Sequence, residues 1–210
     1  MIAIVDYSIG NVFSVRRSLE SLGVECLITG DPDAIRQADQ VILPGVGAFR
    51  DAIGQLEARD LVPVLRRCAK DGTPLLGICL GMQLLFERSW EYGKYEGLGL
   101  LEGEIVPIQD DLPSGCALKV PQIGWNPVRI RHSNPLTAPL RDGDAVYFVH
   151  SYYAKCPEEE IATVSDYGID IPGIVWKDNV YGCQFHPEKS GAVGLSILKA
   201  FSRLYRSSAD

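Results

Sequence analysis

A buried strand that runs without a gap into a helix is predicted by residues 73–86, TPLLGICLGMQLLF. The apolar run from Leu75 to Ile78 is typical of a strand covered on both faces. The residues after Gly81 are good helix formers. The segment therefore requires a tight strand-to-helix turn at Gly77-Ile78-Cys79-Leu80-Gly81.

Cys79 stands at the centre of this turn, between two glycines that relieve the crowding there. The layout is that of a nucleophile elbow, with sulfur in place of a serine oxygen. Unpaired N–H groups at a helix N-terminus favour the thiolate, and the backbone N–H of Leu80 is placed to hold an oxyanion. The alternative is a buried structural cysteine beside glycines that allow close packing. These five residues do not decide between the two.

Strands and helices alternate through the first half of the chain. Three apolar runs are strand-like: Met1 to Val5, Val24 to Thr29, and Gln40 to Leu43. Between them, the spacing of apolar residues after Asn11 and the turn chemistry of Gly30 to Asp33 predict two helices. Two more helices are predicted near Phe49 and from Leu61. This alternation is typical of a parallel sheet.

After Phe86, strand-like runs follow one another with little helix between them. The runs are Gly103 to Ile108, Leu118 to Val120, Trp125 to Ile130, Ala145 to His150, Ile161 to Asp166, Gly173 to Lys177, and Val180 to Phe185. They predict antiparallel hairpins added to the sheet, with a closing amphipathic helix that ends near Phe201. The prediction is an α/β fold with a mixed, mostly parallel sheet, built as one domain over residues 1–210.

Charge and composition exclude several classes of function. The net charge of -7 argues against general affinity for nucleic acid or an anionic membrane, because both need a basic surface. No apolar run approaches the roughly 18 residues of a membrane span, and we expect a cytoplasmic protein. The six cysteines form no C-x-x-C pair, so we expect no metal site and reduced thiols at the other five positions.

The segment Pro44-Gly45-Val46-Gly47-Ala48-Phe49 follows the third predicted strand. Open α/β sheets bind ligands at the carboxyl ends of their strands. Two glycines so close together let the backbone approach a ligand and turn an N–H toward it. An ordinary strand-to-helix turn is the alternative.

Three histidines are available as a base for the cysteine: His132, His150 and His186. His132 lies in a polar segment and is expected to be solvated. His186 is the best candidate, because Pro187 keeps the backbone extended and Glu188 can then reach the ring nitrogen that faces away from the sulfur. A surface His–Glu pair is the alternative. A zinc deaminase is excluded, since no cysteine follows Cys183.

Three motifs in this order and spacing resemble the triad, or class I, glutamine amidotransferases: Pro44 to Gly47, Gly77 to Gln83, and Phe185 to Glu188. The likeness runs from Met1 to about Phe201. It implies a single-domain α/β fold and hydrolysis of L-glutamine to glutamate and ammonia, without a cofactor or metal.

The resemblance also implies a role for each site residue. Cys79 is the nucleophile, His186 the general base and acid, and Glu188 the group that orients the histidine. Oxyanion N–H groups are expected from Leu80, Gly45, Val46 and Gly47. The glutamine pocket is expected to include Gln83, Glu91, Ser151 and Tyr152.

Further strings narrow the resemblance to members that deliver ammonia to a separate (β/α)8 cyclase subunit in histidine biosynthesis: Asp6-Tyr7, Gly10-Asn11, Lys119-Val120-Pro121, Gly124-Trp125-Asn126, Tyr147 to Tyr153, and Glu188-Lys189-Ser190. A heterodimer is implied, with a docking face that includes Trp125, Asn126, Tyr147 and Lys189. Core packing is the alternative for the two aromatic residues. The resemblance implies slow glutamine hydrolysis without the cyclase, because the glycine-rich oxyanion strand is gated.

Two residues depart from the family pattern. Ser8 replaces the usual glycine, and Gln122-Ile123 replaces the common His-Met pair in the stretch expected to face the partner. A glutaminase that serves another synthase remains an alternative, for example one that makes anthranilate, aminodeoxychorismate or pyridoxal phosphate, or a sugar-aminating paralogue. A scaffolding subunit with a relic site is the other alternative, although no triad member is missing.

Overall fold

The computed structural model describes residues 1–205 of the 210-residue chain. Fourteen strands form within that range: β1 (Ile2–Val5), β2 (Cys26–Thr29), β3 (Gln40–Gly45), β4 (Leu75–Cys79), β5 (Phe86–Ser89), β6 (Tyr95–Glu96), β7 (Leu101–Pro107), β8 (Gln122–Pro127), β9 (Arg129–Ile130), β10 (Ala145–His150), β11 (Tyr152–Lys155), β12 (Ile161–Asp166), β13 (Asp170–Lys177) and β14 (Val180–Cys183). The helices are α1 (Val12–Ser21), α2 (Pro32–Gln37), α3 (Phe49–Ala58), α4 (Leu61–Lys70), α5 (Leu80–Gln83), α6 (Ile108–Asp111) and α7 (Gly191–Phe201).

Eight strands form the central sheet, in the order β2-β1-β3-β4-β14-β13-β12-β9. The first five are parallel to one another, and the last three pairings are antiparallel. The predicted mixed, mostly parallel α/β sheet is therefore confirmed. Within it, β3 and β4 lie side by side with Gly45 opposite Cys79, so the glycine-rich segment and the cysteine meet at one edge of the sheet.

Helices cover both faces of this sheet, because apolar side chains of its central strands point both ways. One core cluster contains Ile35, Phe49 and Leu65, from α2, α3 and α4. The other contains Val15 and Phe201, from α1 and α7. Among the described residues, every helix is too short or too polar to pass through a membrane.

In the second half of the chain, several strands lie outside the central sheet, although the prediction added them to it. β8 and β10 form a separate two-stranded sheet, and β11-β7-β5-β6 form a four-stranded one. The expected strand from Leu118 to Val120 is absent, and Leu118 is exposed without a partner strand in the described chain. Alternation of apolar residues predicts a strand, but it carries no information about which sheet the strand joins.

The helix expected after Gly81 is a single turn, α5. Leu84, Leu85 and Phe86, which follow it, are all fully buried. The chain then enters β5, which pairs with β7 in the four-stranded sheet.

Candidate active site

Cys79 occupies a strained backbone conformation at the junction of β4 and α5. Its φ of 55° and ψ of -112° are rarely adopted by a residue with a side chain. A Cβ atom on Gly77 would lie 2.6 Å from the carbonyl oxygen of Gly81, and one on Gly81 would lie 1.8 Å from that of Leu43. The two glycines are therefore required by close backbone packing around the predicted elbow.

Because α5 has only one turn, its helix dipole next to the Cys79 thiol is small. A macrodipole is the sum of many aligned peptide dipoles, and one turn contributes few of them. The stabilisation of a Cys79 thiolate expected at this helix N-terminus stays a prediction, and it rests on the unpaired N–H groups of a single turn.

His186 and Glu188 form a buried pair after β14. The His186 Nδ1 and Glu188 Oε1 atoms lie 2.8 Å apart, and both side chains are at most 2% exposed. The intervening backbone is not extended as predicted, because Pro187–Lys189 is a 3₁₀ turn. The turn is held by a hydrogen bond from the Ser190 hydroxyl to the carbonyl of His186.

The charge on His186 follows from its neighbours. Burial lowers the pKa of the imidazole, but Cys79 and Glu188 raise it by more, to about 9. Nδ1 is engaged by Glu188, and Nε2 is buried without a hydrogen-bond partner among the described residues. At neutral pH, the His186 ring therefore carries a proton beside Cys79.

Cys79 and His186 line one cavity of about 410 Å³. Its lining includes Cys79, Leu80 and His186, together with Val46, Gly47, Gln83, Glu91, Ser151 and Tyr152. Two of the expected catalytic and oxyanion residues do not line it: Glu188, which contacts His186 Nδ1, and Gly45. A Cβ atom there would lie 2.7 Å from the backbone nitrogen of Gly81, so Gly45 serves the close approach of β3 to the elbow.

The loop after β3 is anchored at one end and open at the other. The Tyr7 hydroxyl donates a 2.8 Å hydrogen bond to the carbonyl of Pro44. Val46 is 41% exposed, and Gly47 has a φ of 94° with open space where a Cβ atom would be. Gly47 therefore has the positive φ that glycine adopts readily, in a loop with free space on one side.

Two polar side chains in the cavity are held by hydrogen bonds. The Gln83 amide donates to the carbonyl of Tyr152 at 3.0 Å and to Oε1 of Gln184 at 3.1 Å. Glu91 accepts a hydrogen bond from the Phe49 backbone at 2.5 Å, at the start of α3. Burial raises the pKa of the Glu91 carboxyl, although the Phe49 N–H partly opposes that rise.

Sequence reasoning missed Gln184 and His150 as parts of this site. The Gln184 amide nitrogen lies 4.0 Å from the Cys79 sulfur, and His150 lines the cavity. Gln184 is two residues before His186, and that period-two spacing was a usable signal. His132, expected to be solvated, is half-buried, and its Nδ1 lies 2.8 Å from the carbonyl of Ile161.

Trp125, Tyr147 and Lys189, three of the four expected docking residues, form one surface beside the cavity, whereas Asn126 faces Gln122 on the other side of β8. Trp125 is 56% exposed and packs edge-on against Tyr147 at 6.2 Å between ring centroids. The Lys189 ammonium lies 5.9 Å from the centre of the Tyr147 ring. Asn126 is half-buried on the same strand as Trp125. Ile123, which sequence reasoning left out of this set, is 59% exposed.

The two departures from the family pattern have different environments. Ser8 has a φ of 69°, in the left-handed region where glycine is favoured. Gln122 is fully buried, although it lies in the stretch expected to face the partner. Side chains alternate along β8, and Gln122 points inward while Ile123 points outward.

Comparison with known families places the chain in a defined class. The family model "Glutamine amidotransferase class-I" matches residues 3–203. The chain therefore belongs to the class I glutamine amidotransferases.

Individual relatives within this family are similar to almost the whole chain. The chain is 54% identical over 201 residues to the imidazole glycerol phosphate synthase subunit HisH of Bacillus cereus (strain G9842), covering 96% of this chain and 93% of that protein. It is 49% identical over 201 residues to the subunit of the same name from Lactococcus lactis subsp. lactis (strain IL1403), covering 95% and 96%.

Solved structures support the fold. PurLQS from Thermotoga maritima matches with a TM-score of 0.74 at 19% identity, covering 95% of this chain and 96% of that one. A crystal structure described as a glutamine amidotransferase matches with a TM-score of 0.73 at 18% identity, covering 96% and 99%. At these identities the likeness concerns the fold alone.

Proposed function

We propose that this chain is the glutaminase subunit of an imidazole glycerol phosphate synthase, a single-domain protein that hydrolyses L-glutamine with Cys79, His186 and Glu188. The observation that carries the proposal is the strained cysteine at the elbow, which shares one cavity with a buried, protonated histidine. The relatives named HisH, which match almost the whole chain, support the same function.

In the first half-reaction, the Cys79 thiolate attacks the amide carbon of glutamine and the carbonyl electrons move to oxygen. The carbon–nitrogen bond then breaks as His186 Nε2 gives its proton to the leaving nitrogen. Ammonia is released, and a glutamyl thioester remains on Cys79. Glu188 holds the ring through Nδ1, which leaves Nε2 for the reacting atoms.

In the second half-reaction, water attacks the thioester and His186 takes a proton from it. Collapse of the intermediate expels the Cys79 thiolate, forms glutamate and restores the thiolate–imidazolium pair. The oxyanion of both intermediates is assigned to the N–H groups of Leu80 and the loop from Val46 to Gly47, which line the cavity. Gln83, Glu91, Ser151 and Tyr152 are assigned to the glutamine side of the same cavity.

The consumption of the ammonia is assigned to a partner, the (β/α)8 cyclase subunit HisF. This subunit converts PRFAR to imidazole glycerol phosphate and AICAR. Ammonia released into bulk water is protonated and diluted, so a direct transfer requires a docked subunit. The surface of Trp125, Tyr147 and Lys189 supports this heterodimer, because an exposed tryptophan beside a tyrosine and a cation is typical of an interface centre.

Glutaminase assays with and without a cyclase subunit and its nucleotide ligand test the proposal. We expect slow hydrolysis by the chain alone, faster hydrolysis in the complex, and none in either case for Cys79→Ala. Cys116→Ala, in a loop outside the cavity, is the matched control and should keep wild-type rates. Turnover by Cys79→Ala would contradict the assigned nucleophile, and full activity without the cyclase would contradict a gated oxyanion loop.

A further inference from the structure

A buried chain of side chains connects β8 to the wall of the cavity. Gln122 and His150 are directly opposed in the β8–β10 pair. In the structure, Gln122 Oε1 lies 3.0 Å from His150 Nε2, and the Gln122 amide nitrogen donates a 3.1 Å hydrogen bond to Asn126 Oδ1. On its other side, His150 Nδ1 lies 2.9 Å from the carbonyl oxygen of Tyr152. Both Gln122 and His150 are buried.

The hydrogen-bonding groups restrict where the protons can be. A carbonyl oxygen only accepts, so the Tyr152 carbonyl requires a proton on His150 Nδ1. If the Gln122 oxygen faces Nε2, that nitrogen must also carry a proton and the ring is an imidazolium. If the Gln122 and Asn126 amides are both turned by half a rotation, the Gln122 NH₂ group donates to a bare Nε2, the Asn126 NH₂ group donates to the Gln122 oxygen, and the ring is neutral.

The neutral arrangement is favoured by the surroundings of His150. Burial, together with the charge of His186, outweighs the Tyr152 carbonyl and lowers the pKa of His150 to about 4. His186 is the charged group that faces the ring, and its own proton is needed for catalysis. A second cation beside it would oppose that proton. Gln122 therefore donates to Nε2 at neutral pH.

The Tyr152 carbonyl oxygen connects His150 by hydrogen bonds to the side chains near Cys79. It accepts hydrogen bonds from both His150 and Gln83. Gln83 in turn donates to Gln184, whose amide nitrogen lies 4.0 Å from the Cys79 sulfur. Tyr152, His150 and Gln83 all line the cavity. Loss of the donor at position 122 would leave His150 Nε2 buried and unpaired, which destabilises this arrangement of the ring.

We propose that Gln122 is a positioning residue: its amide holds His150 in the Nδ1–H tautomer, and His150 thereby fixes the Tyr152 carbonyl in the wall of the glutamine cavity. The catalytic consequence rests on the proposed glutaminase function. The assignment of the His150 tautomer does not depend on that function.

The tautomer is measured by ¹⁵N–¹H correlation of the histidine ring nitrogens in the wild-type chain at pH 7.5. The chain has three histidines, so His132→Gln and His186→Gln variants assign the third ring. We expect a protonated Nδ1 and a bare, hydrogen-bonded Nε2 on His150. A proton on Nε2, alone or with one on Nδ1, would overturn the proposal. This readout needs no turnover, so it does not depend on whether the chain hydrolyses glutamine.

Three variants of position 122 separate positioning from simple packing. Gln122→Met keeps the length but not the donor, and we expect about a tenfold lower kcat/KM for glutamine, mostly through KM, with saturating cyclase. Gln122→His restores a ring N–H and should return kcat/KM to within about threefold of wild type. Gln122→Glu only accepts and should give a doubly protonated His150 at pH 7.5.

A Gln122→Met variant that folds, as judged by its circular dichroism, and keeps kcat/KM within twofold of wild type would contradict the proposal. If that variant does not fold, the wild-type and Gln122→Glu ring spectra decide. An unchanged neutral tautomer in Gln122→Glu would show that position 122 does not control the ring, and it would overturn the assignment as well.

Discussion

The charge of His186 is the residue property on which the proposed chemistry depends most. Its pKa is raised to about 9, with burial opposing and Cys79 and Glu188 favouring the charged ring. The proton must be present for ammonia to leave. Activity should therefore hold through neutral pH and fall as the pH rises through about 9.

Replacing Glu188 by Gln removes one of the two groups that raise the pKa of His186. The alkaline limit of kcat/KM should then move to lower pH by about one unit, since one unit corresponds to about 1.4 kcal/mol of lost interaction with the charged ring. A profile of kcat/KM from pH 6 to 10 measures this shift. Glu57→Gln on the exposed face of α3 is the matched control, and equal limits in the two variants would contradict the role of Glu188.

Single residues were predicted from the sequence where a motif fixes them. Cys79 was expected at an elbow and Glu188 beside His186, and the structure has both arrangements. The physical reason for the second was wrong, because a 3₁₀ turn and not an extended segment brings the pair together. His150 and its partner Gln122 were not assigned to the site, since their contact depends on the pairing of β8 with β10.

At the scale of elements, the elbow depends on backbones that touch. Gly81→Ala would place a Cβ atom 1.8 Å from the carbonyl of Leu43, and both atoms belong to packed backbone. We expect a loss of about 3 kcal/mol in the free energy of unfolding, at the upper end for overpacking. Urea denaturation measures it.

The same substitution at Gly54 is the matched control, because that glycine lies within α3 and a Cβ atom there meets nothing within 4 Å. Gly54→Ala should be neutral or stabilise the protein by up to about 1 kcal/mol, the difference in helix propensity. Equal effects of the two substitutions would contradict the close-packing account of the elbow.

The order of strands was predictable only in the first half. There, helices connect parallel strands that are neighbours or, for β2 and β3, are separated only by β1, and the handedness of such units leaves few possible strand orders. In the second half, β7, β8 and β10 have strand-like sequences, but their partners are set by packing across distant parts of the chain. The length of α5 was overestimated for a related reason, since helix propensity was outweighed by burial of the residues that follow it.

At the scale of the whole molecule, the cavity and the aromatic surface lie together at one end of the central sheet. Trp125 is the centre of this surface, and Trp125→Ala should weaken binding of the cyclase by about 30-fold, as expected for a loss of about 2 kcal/mol at an interface hot spot. Isothermal titration calorimetry measures the affinity. Lys189→Ala should have a smaller effect, because Lys189 is exposed at the rim.

Tyr205→Ala is the matched control for that experiment. Tyr205 is 86% exposed and lies beside Pro74 and Asn179, which precede β4 and β14 at the end of the sheet opposite the elbow. Its removal should leave the affinity unchanged. A similar loss in both variants, or none in Trp125→Ala, would contradict docking at the aromatic surface.

The central claim is that Cys79 attacks a glutamine amide in the cavity it shares with His186. Covalent labelling of the complex with a diazoketone analogue of glutamine, followed by peptide mass spectrometry, tests it most directly. The account predicts one adduct, on Cys79, that excess glutamine prevents and that Cys79→Ala abolishes. An adduct on another cysteine, or unchanged labelling of Cys79→Ala, would contradict it.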